Sequence, residues 1–429
     1  MEWSIYNHLY FSDVANTYLL YSALSNTFLR VSLEGYQILC KLRDNPECKD
    51  VPNEYVDMLK EKRFIVESNE TEINKIVLNT LRRRFNTQSL SLTLAPTQAC
   101  NFACPYCYEN YRHGKKMSQA VQDGIVNFVI NNGIKSLAVN WYGGEPTLAI
   151  DVIKNLTNRF KETVNNYSAC MVTNGYKLDE LVDYIEQLSI HSIQVTLDGT
   201  ERSHDRTRHL KNGGKTFSKI LKNLDIIAEE NINVDVSIRM NISKDNANEY
   251  VSLQSFLANR YNGKRIHLYP AFVTDYTNCK SSCYEDSVSK GLFLKNMFYE
   301  NGIITKELYP RVINKGCMAQ TMNAFVVGPD GKLYKCWHHL GDESMAVGSI
   351  LDPNLISNFS LLADVMIYKR DPVFNQECQK CVLFPSCDGG CYDNKRLGKD
   401  FCIPAKSMLS DFLDIKYLQW LSVENNCSS

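Results

Sequence analysis

The sequence lacks the features that direct a chain to a membrane, to secretion or to a nucleic acid. Its apolar runs, such as residues 125–130, are far shorter than the roughly 18 residues that a spanning helix needs. The first residues show neither the basic segment nor the apolar stretch of a secretory signal. The formal net charge of −1 leaves no basic excess for nucleic acid. We therefore expect a soluble, cytoplasmic protein without nucleic-acid or membrane partners.

Motifs of common hydrolases and nucleotide-binding enzymes are missing as well. Neither a G-x-S-x-G turn nor a complete Walker phosphate loop occurs. The chain is otherwise ordinary for a globular protein, with 44% hydrophobic and 22% charged residues. Its 429 residues predict two to three domains.

Cysteine is abundant, at 16 residues, and it is clustered along the chain. In a chain without a secretory signal, reduced thiolates that bind metal are favoured over disulfides. Ten of these cysteines fall into three groups: Cys100, Cys104 and Cys107; Cys317 and Cys336; Cys378, Cys381, Cys387, Cys391 and Cys402. Their spacing decides which metal chemistry the chain can support.

Residues 1–88 predict a small winged-helix-like domain. The pattern predicts strands at 8–11, 18–21, 27–32 and 63–66, and helices at 33–43, 53–62 and 71–85. Strands followed by helices and a returning strand are typical of such a unit.

Residues 89–275 predict an α/β domain built on a parallel sheet. Strands are expected at 90–94, 137–141, 169–173, 192–197, 234–240 and 266–270, and helices at 117–133, 149–166, 177–189, 216–230 and 247–261. Ligands of such folds lie at the carboxyl ends of the strands. The first cysteine group follows strand one and Gly143–Pro146 follows strand two, so both are expected there. Residues 276–429 lose the alternation and are expected to form a third domain organised around metal.

The run Cys100-x3-Cys104-x2-Cys107 is a candidate metal loop. Three thiolates can hold three irons of a [4Fe–4S] cluster and leave the fourth iron open for substrate chemistry. A zinc loop is the alternative, although zinc sites favour paired x2 spacings with a fourth ligand nearby.

This run, with an aromatic residue before its last cysteine and Gly-Gly-Glu-Pro further on, resembles the radical S-adenosylmethionine (SAM) superfamily. The resemblance implies a partial (β/α)6 TIM-like barrel, and a catalytic cluster on Cys100, Cys104 and Cys107 whose open iron binds SAM. It also implies a set of residues that contact SAM: Tyr106, Gly143, Gly144, Glu145, Pro146, Thr173, Asn174, Thr196 and Arg208. Within this set the Gly143–Pro146 segment would contact the amino group of SAM, and Thr196 and Arg208 would contact its carboxylate.

The C-terminal cysteines resemble the SPASM domain that follows radical SAM barrels acting on peptides. By that resemblance two auxiliary [4Fe–4S] clusters have the ligand sets Cys378, Cys381, Cys387 and Cys402, and Cys317, Cys336 and Cys391. A zinc ribbon is the alternative for the C-x2-C pair. The second set lacks a fourth ligand, which Cys279, Cys283 or a substrate thiolate could supply. Trp337 stands where sulfatase-maturing members carry an aspartate base, which disfavours that activity.

Residues 1–88 resemble, more loosely, the peptide-recognition element related to the PqqD chaperone, which adds a leader peptide as a strand. The resemblances together predict a radical SAM enzyme that cross-links a ribosomally made precursor peptide through a thioether or a carbon–carbon bond. A flavodoxin or ferredoxin would supply electrons to three [4Fe–4S] clusters. A radical SAM enzyme acting on another protein and a non-catalytic zinc module are the alternatives. A purely structural N-terminal cap is the alternative for the first domain.

Overall fold

The computed structural model describes residues 1–109, 114–273, 283–284, 286–305, 316–367, 371–387, 389–399 and 402–427. By packing, the chain divides into two compact units. The terminal unit comprises Met1–Arg84, Glu285–Cys317 and Ile367–Ser429, and the barrel unit comprises Phe85–Tyr284 and Met318–Met366. The predicted domain boundaries at residues 88 and 275 remain predictions. No helix in the described ranges has the length and apolar character to cross a membrane.

The terminal unit begins with a small sheet and three helices. Its elements are β1 (Glu2–Trp3), β2 (Asn7–Ser12), β3 (Thr17–Ser22), β4 (Thr27–Val31), α1 (Leu33–Asp44), α2 (Asn53–Glu61), β5 (Ile65–Val66) and α3 (Asn69–Arg84). Strands β2, β3 and β4 form an antiparallel meander, and β1 pairs with β5. The Ser32 hydroxyl accepts a hydrogen bond from the Gly35 amide and starts α1 directly after β4. The predicted order of strands, helices and a returning strand is confirmed.

Six parallel strands between residues 89 and 272 of the barrel unit lie side by side, in sheet order equal to chain order. They are β6 (Ser89–Leu94), β7 (Ser136–Trp141), β8 (Asn166–Thr173), β9 (Ile190–Thr196), β10 (Asp235–Ile242) and β11 (Ile266–Phe272). Their connections carry α4 (Gln119–Asn131), α5 (Ile150–Thr163), α6 (Glu201–Thr207), α7 (Phe217–Glu229) and α8 (Tyr250–Arg260). Helix α7 buries Phe217, Ile220, Leu224 and Ile227, the apolar stripe of an amphipathic helix. The predicted α/β fold with a six-stranded partial barrel is confirmed.

One predicted helix is wrong. Residues 177–189 form two short 3₁₀ turns, Leu178–Glu180 and Val182–Tyr184, instead of an α-helix. Leu178, Leu181 and Ile185 are buried, so the apolar spacing that suggested a helix is satisfied by these turns. A 3₁₀ turn rises about 2.0 Å per residue against 1.5 Å in an α-helix, so the same residues reach further between β8 and β9.

Residues 318–366 extend the sheet of the barrel unit beyond its six parallel strands. Strand β12 (Ala324–Val327) pairs in parallel with β6, and β13 (Lys332–Tyr334) and β14 (Gly348–Ser349) follow antiparallel. The unit ends with α10 (Phe359–Met366). This extension brings Cys336, two residues after β13, into the barrel unit.

The remaining helices complete the terminal unit. They are α9 (Ser287–Asn301), α11 (Gln376–Gln379), α12 (Tyr392–Arg396) and α13 (Leu409–Cys427). Strand β2 is tied to α13, because the Tyr10 hydroxyl donates to Asp414 at 2.9 Å and the His8 ring is 2.9 Å from the Ser410 hydroxyl. Tyr6 donates to the Gln379 carbonyl at 2.8 Å. The N-terminal sheet and the C-terminal cysteine segment therefore share one packed unit.

Candidate functional site

The first cysteine group lies on the loop that follows β6. Cys100 is buried, and Cys104 and Cys107 are half-buried. A short antiparallel contact holds the loop: the Ala103 amide donates to the His209 carbonyl, and Lys211 donates to Asn101, both at 3.0 Å. The loop thus has a backbone partner from a segment about 100 residues further along the chain.

The two glycines of the Gly-Gly-Glu-Pro segment lie directly against this loop. A Cβ atom on Gly144 would stand 2.4 Å from the carbonyl oxygens of Gln98 and Ala99, and Gly143 has a φ of +108°. The close approach lets the Gly144 amide bond Thr97 at 3.2 Å and the Glu145 amide bond Ala99 at 2.8 Å. Glycine is required because any side chain would push the cysteine loop away.

Glu145 lies fully buried at the centre of a hydrogen-bond network. Its carboxylate accepts four bonds: from the Thr147 amide at 3.1 Å, the Thr147 hydroxyl at 2.7 Å, the Thr173 hydroxyl at 2.7 Å and the Asn174 amide at 2.7 Å. Burial raises the pKa of the carboxyl, and the four donors lower it. Glu145 therefore joins the end of β7 to the end of β8, and its predicted contact with SAM stays a prediction.

Thr173 and Asn174 connect this network to the cysteine loop. The Thr173 hydroxyl, which donates to Glu145, also accepts a bond from the Gly175 amide at 3.1 Å. The Asn174 side chain donates to the Asn101 side chain at 2.8 Å, one residue after Cys100. The predicted residues of the first three strand ends are thus brought together in one hydrogen-bonded assembly.

A second polar group lies between Cys104 and the ends of β9 and β10. The Tyr106 hydroxyl donates to the Asp198 carboxylate and accepts a bond from Arg208 at 2.8 Å. Asp198 also accepts the Asn241 amide at 3.0 Å. Burial raises the pKa of Tyr106 well above its usual range. The charge of Arg208 lowers this pKa, and the charge of Asp198 raises it further. Burial also raises the pKa of Asp198, which Arg208 and Tyr106 lower.

His204 holds the backbone at Asp198 directly and the backbone at Arg208 through Thr216. The ring is fully buried; its Nδ1 accepts the Asp198 amide at 3.2 Å, and its Nε2 lies 3.1 Å from the Thr216 hydroxyl. Thr216 in turn donates to the Arg208 carbonyl. Burial and the nearby Arg208 charge keep the pKa of His204 well below its usual value, so the ring is neutral and carries its proton on Nε2.

A cleft of about 170 Å³ opens beside this group. Pro105 and Tyr106 of the cysteine loop form part of its wall, and Asp198, Arg206 and Asn241 supply polar groups. A cleft that joins the cysteine loop to charged and amide groups suits a polar ligand with both apolar and ionic parts. Thr196 ends β9 and is buried, in register with Arg239 of β10.

Four C-terminal cysteines surround one cavity in the terminal unit. Cys378, Cys381, Cys387 and Cys402 all line a cavity of about 120 Å³, which we call the four-cysteine cavity. Within the described ranges no three metal-binding side chains converge on a point that suits a single ion. Thiolates spread over the wall of a cavity fit a [4Fe–4S] cluster, in which each sulfur binds a different iron. The Gly389 amide already donates to the Cys387 sulfur at 3.2 Å.

The other predicted cluster ligands lie at three separate elements. Cys391 caps the start of α12 and Cys336 precedes the turn Trp337–His339, while Cys317 lies just before the turn Met318–Gln320. Among the candidates for a fourth ligand, Cys283 is buried, and Cys279 lies outside the described residues. This second ligand set stays a prediction.

Sequence reasoning missed Asp198, Asn241 and Tyr142 as site residues. Tyr142 follows β7, and its ring stacks on Trp337 with centroids 5.6 Å apart. Burial raises the pKa of this hydroxyl. All three residues follow or end barrel strands, so the rule that sites lie at the carboxyl ends would have found them.

A partial parallel barrel whose first loop carries three clustered cysteines defines an iron–sulfur enzyme class. Residues 94–257 match the family described as the Radical SAM superfamily. The predicted radical SAM domain is confirmed for this part of the chain, and the chain is an enzyme.

Two relatives and two solved structures match most of this chain. The radical SAM cyclopropyl synthase TigE of Paramaledivibacter caminithermalis is 23% identical, over 88% of this chain and 86% of that protein. A cysteine-type anaerobic sulfatase-maturating enzyme of Clostridium perfringens is also 23% identical, over 79% of this chain and 99% of that protein. The structure of anSMEcpe with bound AdoMet and the Cp18Cys peptide aligns with a TM-score of 0.59 and 21% identity, over 79% of this chain and 99% of that chain. Streptococcus suis SuiB bound to S-adenosylmethionine aligns with a TM-score of 0.52 and 15% identity, over 93% and 97%.

Proposed function

We propose that the chain is a radical SAM enzyme of SPASM type that cross-links side chains of a ribosomally synthesised peptide through a thioether or a carbon–carbon bond. The observation that carries the proposal is that one chain combines a three-cysteine loop at a barrel mouth with the four-cysteine cavity. Three thiolates suit a cluster with an open iron, and four suit a closed cluster for electron transfer.

Each part of the barrel mouth has a task in this reaction. When bound, the cluster on the first loop supplies the electron that splits SAM into methionine and a 5′-deoxyadenosyl radical, which takes a hydrogen atom from the peptide. The chain itself positions the loop through Gly144 and Glu145 and presents Arg208 to the SAM carboxylate. Tyr106 and Asp198 hold the guanidinium in place before SAM arrives, which lowers the cost of ordering it.

The balance of the reaction explains why a further electron acceptor is useful. Forming a cross-link removes two hydrogens from the peptide: one leaves as an atom in 5′-deoxyadenosine, and the other leaves as a proton with one electron left over. The four-cysteine cavity and the set Cys317, Cys336 and Cys391 would hold auxiliary clusters, three clusters in all with the first. When bound, such a cluster supplies an acceptor for that electron. A flavodoxin or ferredoxin is the proposed source of the electron that starts each cycle.

The structural neighbours support a peptide substrate. SuiB has been solved bound to its precursor peptide SuiA, and anSMEcpe with the Cp18Cys peptide. Trp337, stacked on Tyr142, fills the position where sulfatase-maturing members carry their aspartate, so sulfatase maturation is the weaker candidate. Cyclopropane formation, named for the relative TigE, would also remove two hydrogens and is the second candidate product.

The N-terminal sheet is the proposed binding site for the leader of the precursor. Strand β4 pairs with β3 on one side, and β2 on the opposite edge is tied to α13. An extended leader would add to the β4 edge through main-chain hydrogen bonds.

The test is anaerobic reconstitution followed by incubation with SAM, a reductant and short precursor peptides encoded near the gene. We expect about 12 irons per chain, 5′-deoxyadenosine, and a peptide product lighter by two hydrogens. Fragment masses that localise the link separate a thioether from a carbon–carbon bond or a cyclopropane ring. A purified chain that holds zinc without iron and produces no 5′-deoxyadenosine would instead identify the zinc module.

A further inference from the structure

Strand β10 carries an arginine on the face of the sheet that leads to the barrel mouth. The residues of this strand alternate between half-buried and buried, because successive side chains of a strand point to opposite faces. Asn241 belongs to the half-buried set and lines the cleft beside the cysteine loop. Arg239, two residues earlier on the strand, therefore lies on the same face as Asn241 and one step deeper in the barrel.

Neighbouring strands place polar side chains around Arg239. In the strand register Arg239 lies beside Thr196 of β9 and Tyr269 of β11, so the three residues share one face of the sheet. The Tyr269 hydroxyl donates to the Gln194 side chain at 2.7 Å, and this bond crosses β10 from one neighbouring strand to the other. The sheet face around Arg239 is therefore polar, whereas the opposite face of β10 is apolar and buried.

The Arg239 side chain is anchored at one atom. Its Nε donates to the Asn241 side-chain oxygen at 2.9 Å, and the Asn241 side-chain nitrogen lies 3.5 Å from the Tyr106 hydroxyl. The Nε bond is the single hydrogen bond of this side chain within the described residues, and no carboxylate in those ranges pairs with it. The terminal nitrogens of the guanidinium, whose planar fork matches a carboxylate, therefore remain available to a ligand.

The charges on the strands also favour an acidic ligand. The six parallel strands carry only two side chains of the Asp, Glu, Lys or Arg type, Asp235 and Arg239. Asp235 lies at the start of β10 and is already bound by Arg265 through two hydrogen bonds of 2.7 Å. The strands thus present one uncompensated positive charge. Because Arg239 is half-buried, its attraction for an anion is stronger than it would be in bulk water.

We propose that Arg239 binds the carboxylate of an aspartate or glutamate side chain of the peptide substrate, and thereby selects an acidic residue near the position that is modified. The inference rests on the proposed function and adds to it the chemical class of a substrate residue. Arg208, held by Tyr106 beside the cysteine loop, is the proposed partner of the SAM carboxylate, so the guanidinium of Arg239 serves a second carboxylate. A bidentate pair between arginine and a carboxylate is both strong and specific in its geometry.

The chain offers a matched control in Arg265. This arginine lies directly before β11 and is exposed, and its guanidinium is already occupied by Asp235. Arg265→Gln and Arg239→Gln make the same change in net charge. A general effect of charge on peptide binding would therefore appear equally in both variants.

The experiment measures binding of fluorescently labelled precursor peptides, encoded near the gene, to the full-length reconstituted enzyme with SAM and without reductant. Each Asp and Glu of the peptide is changed singly to Asn or Gln. We expect the wild type to bind one of these amide peptides at least about tenfold more weakly than the parent peptide, since a bond between charged groups is lost. Arg239→Gln should bind both peptides alike, Arg265→Gln should retain the tenfold preference, and Arg239→Lys should keep only part of it because lysine lacks the planar fork.

Three results would overturn the inference. The first is a wild-type enzyme that binds every amide peptide as tightly as the parent. The second is an Arg239→Gln variant that retains the preference; if this variant loses iron, an undiminished preference in Arg239→Lys counts in the same way. The third is an Arg239→Gln variant in which SAM affinity falls tenfold while the peptide preference persists, which would assign the guanidinium to the SAM carboxylate. Failure of the proposed function is recognised separately, because the reduced wild-type enzyme would then form neither 5′-deoxyadenosine nor a peptide lighter by two hydrogens.

Discussion

Replacing Glu145 by Gln tests whether this carboxylate is chiefly a structural centre. The substitution keeps the shape of the side chain but turns one acceptor oxygen into an amide donor. With the amide oxygen placed toward Thr147 and Thr173, its NH₂ group faces the Asn174 amide, and two donors then meet at a fully buried position. The network cannot be satisfied by any orientation of the glutamine.

The magnitude follows from the contacts. Losing one hydrogen bond to a charged group costs about 1.5–3 kcal/mol, and leaving the Asn174 amide unsatisfied costs about 1–3 kcal/mol. A neutral amide is easier to bury than a carboxylate, which offsets part of this loss. We expect the free energy of unfolding to fall by about 2–3 kcal/mol, a decrease in Tm of about 4–12 °C for a unit of this size.

Thermal and urea unfolding of the reconstituted enzyme, followed by circular dichroism, measure this change, and SAM affinity is measured alongside. Glu249→Gln is the matched control: Glu249 accepts the Thr200 amide at 2.8 Å and its hydroxyl at 2.7 Å, but it is half-exposed, so water can replace the lost bond. We expect a loss of about 1 kcal/mol or less there. An E145Q protein with wild-type stability and weakened SAM binding would refute the structural reading and identify Glu145 as a direct SAM contact.

Three further predictions concern the barrel mouth. Changing the three cysteines of the first loop together to Ala should abolish formation of 5′-deoxyadenosine while auxiliary iron remains; product from this variant would contradict the catalytic assignment. Gly144→Ala should displace the cysteine loop by about 1 Å and lower the iron content of that loop, since overpacking of this kind costs about 1–3 kcal/mol. The control Gly263→Asn, at a position with open space around it, should leave the iron content unchanged. Burial keeps the pKa of His204 below its ordinary value of about 6.5, so the unfolded chain binds a proton there that the folded chain does not. The free energy of unfolding should therefore decrease as the pH is lowered below about 6.5, by up to about 1.4 kcal/mol per pH unit. His204→Gln should remove that part of the slope, and equal slopes in urea unfolding would show the ring to be protonated when folded.

Contacts between the N-terminal segment and the C-terminal segment of the terminal unit limit how the proposed leader site can be tested. Tyr6, His8 and Tyr10 all bond residues beyond 378, so deleting the first 88 residues would expose the segment around the four-cysteine cavity. A truncated protein that fails to bind peptide would therefore not distinguish a leader site from a structural cap. Binding of peptides with and without their leader to the full-length chain makes that distinction.

Local signals in the sequence determined the element order and the cysteine chemistry. The six parallel strands could be predicted because each is a short apolar run, and an apolar stripe at helical spacing separates each run from the next. The position of Cys100 and Gly143 at the same sheet edge followed from strand order alone. The resemblance of the cysteine run rested likewise on spacing within eight residues.

Only the tertiary structure decided which of these residues touch. Tyr106 and Arg208 are 102 residues apart, yet their contact defines the polar group beside the cysteine loop. Tertiary packing also determines that residues 177–189 form 3₁₀ turns instead of an α-helix. It pairs β12 with β6, although 229 residues separate these strands along the chain. Periodicity and spacing report on neighbours along the chain, whereas hydrogen bonds and buried charges depend on which distant segments the fold brings together.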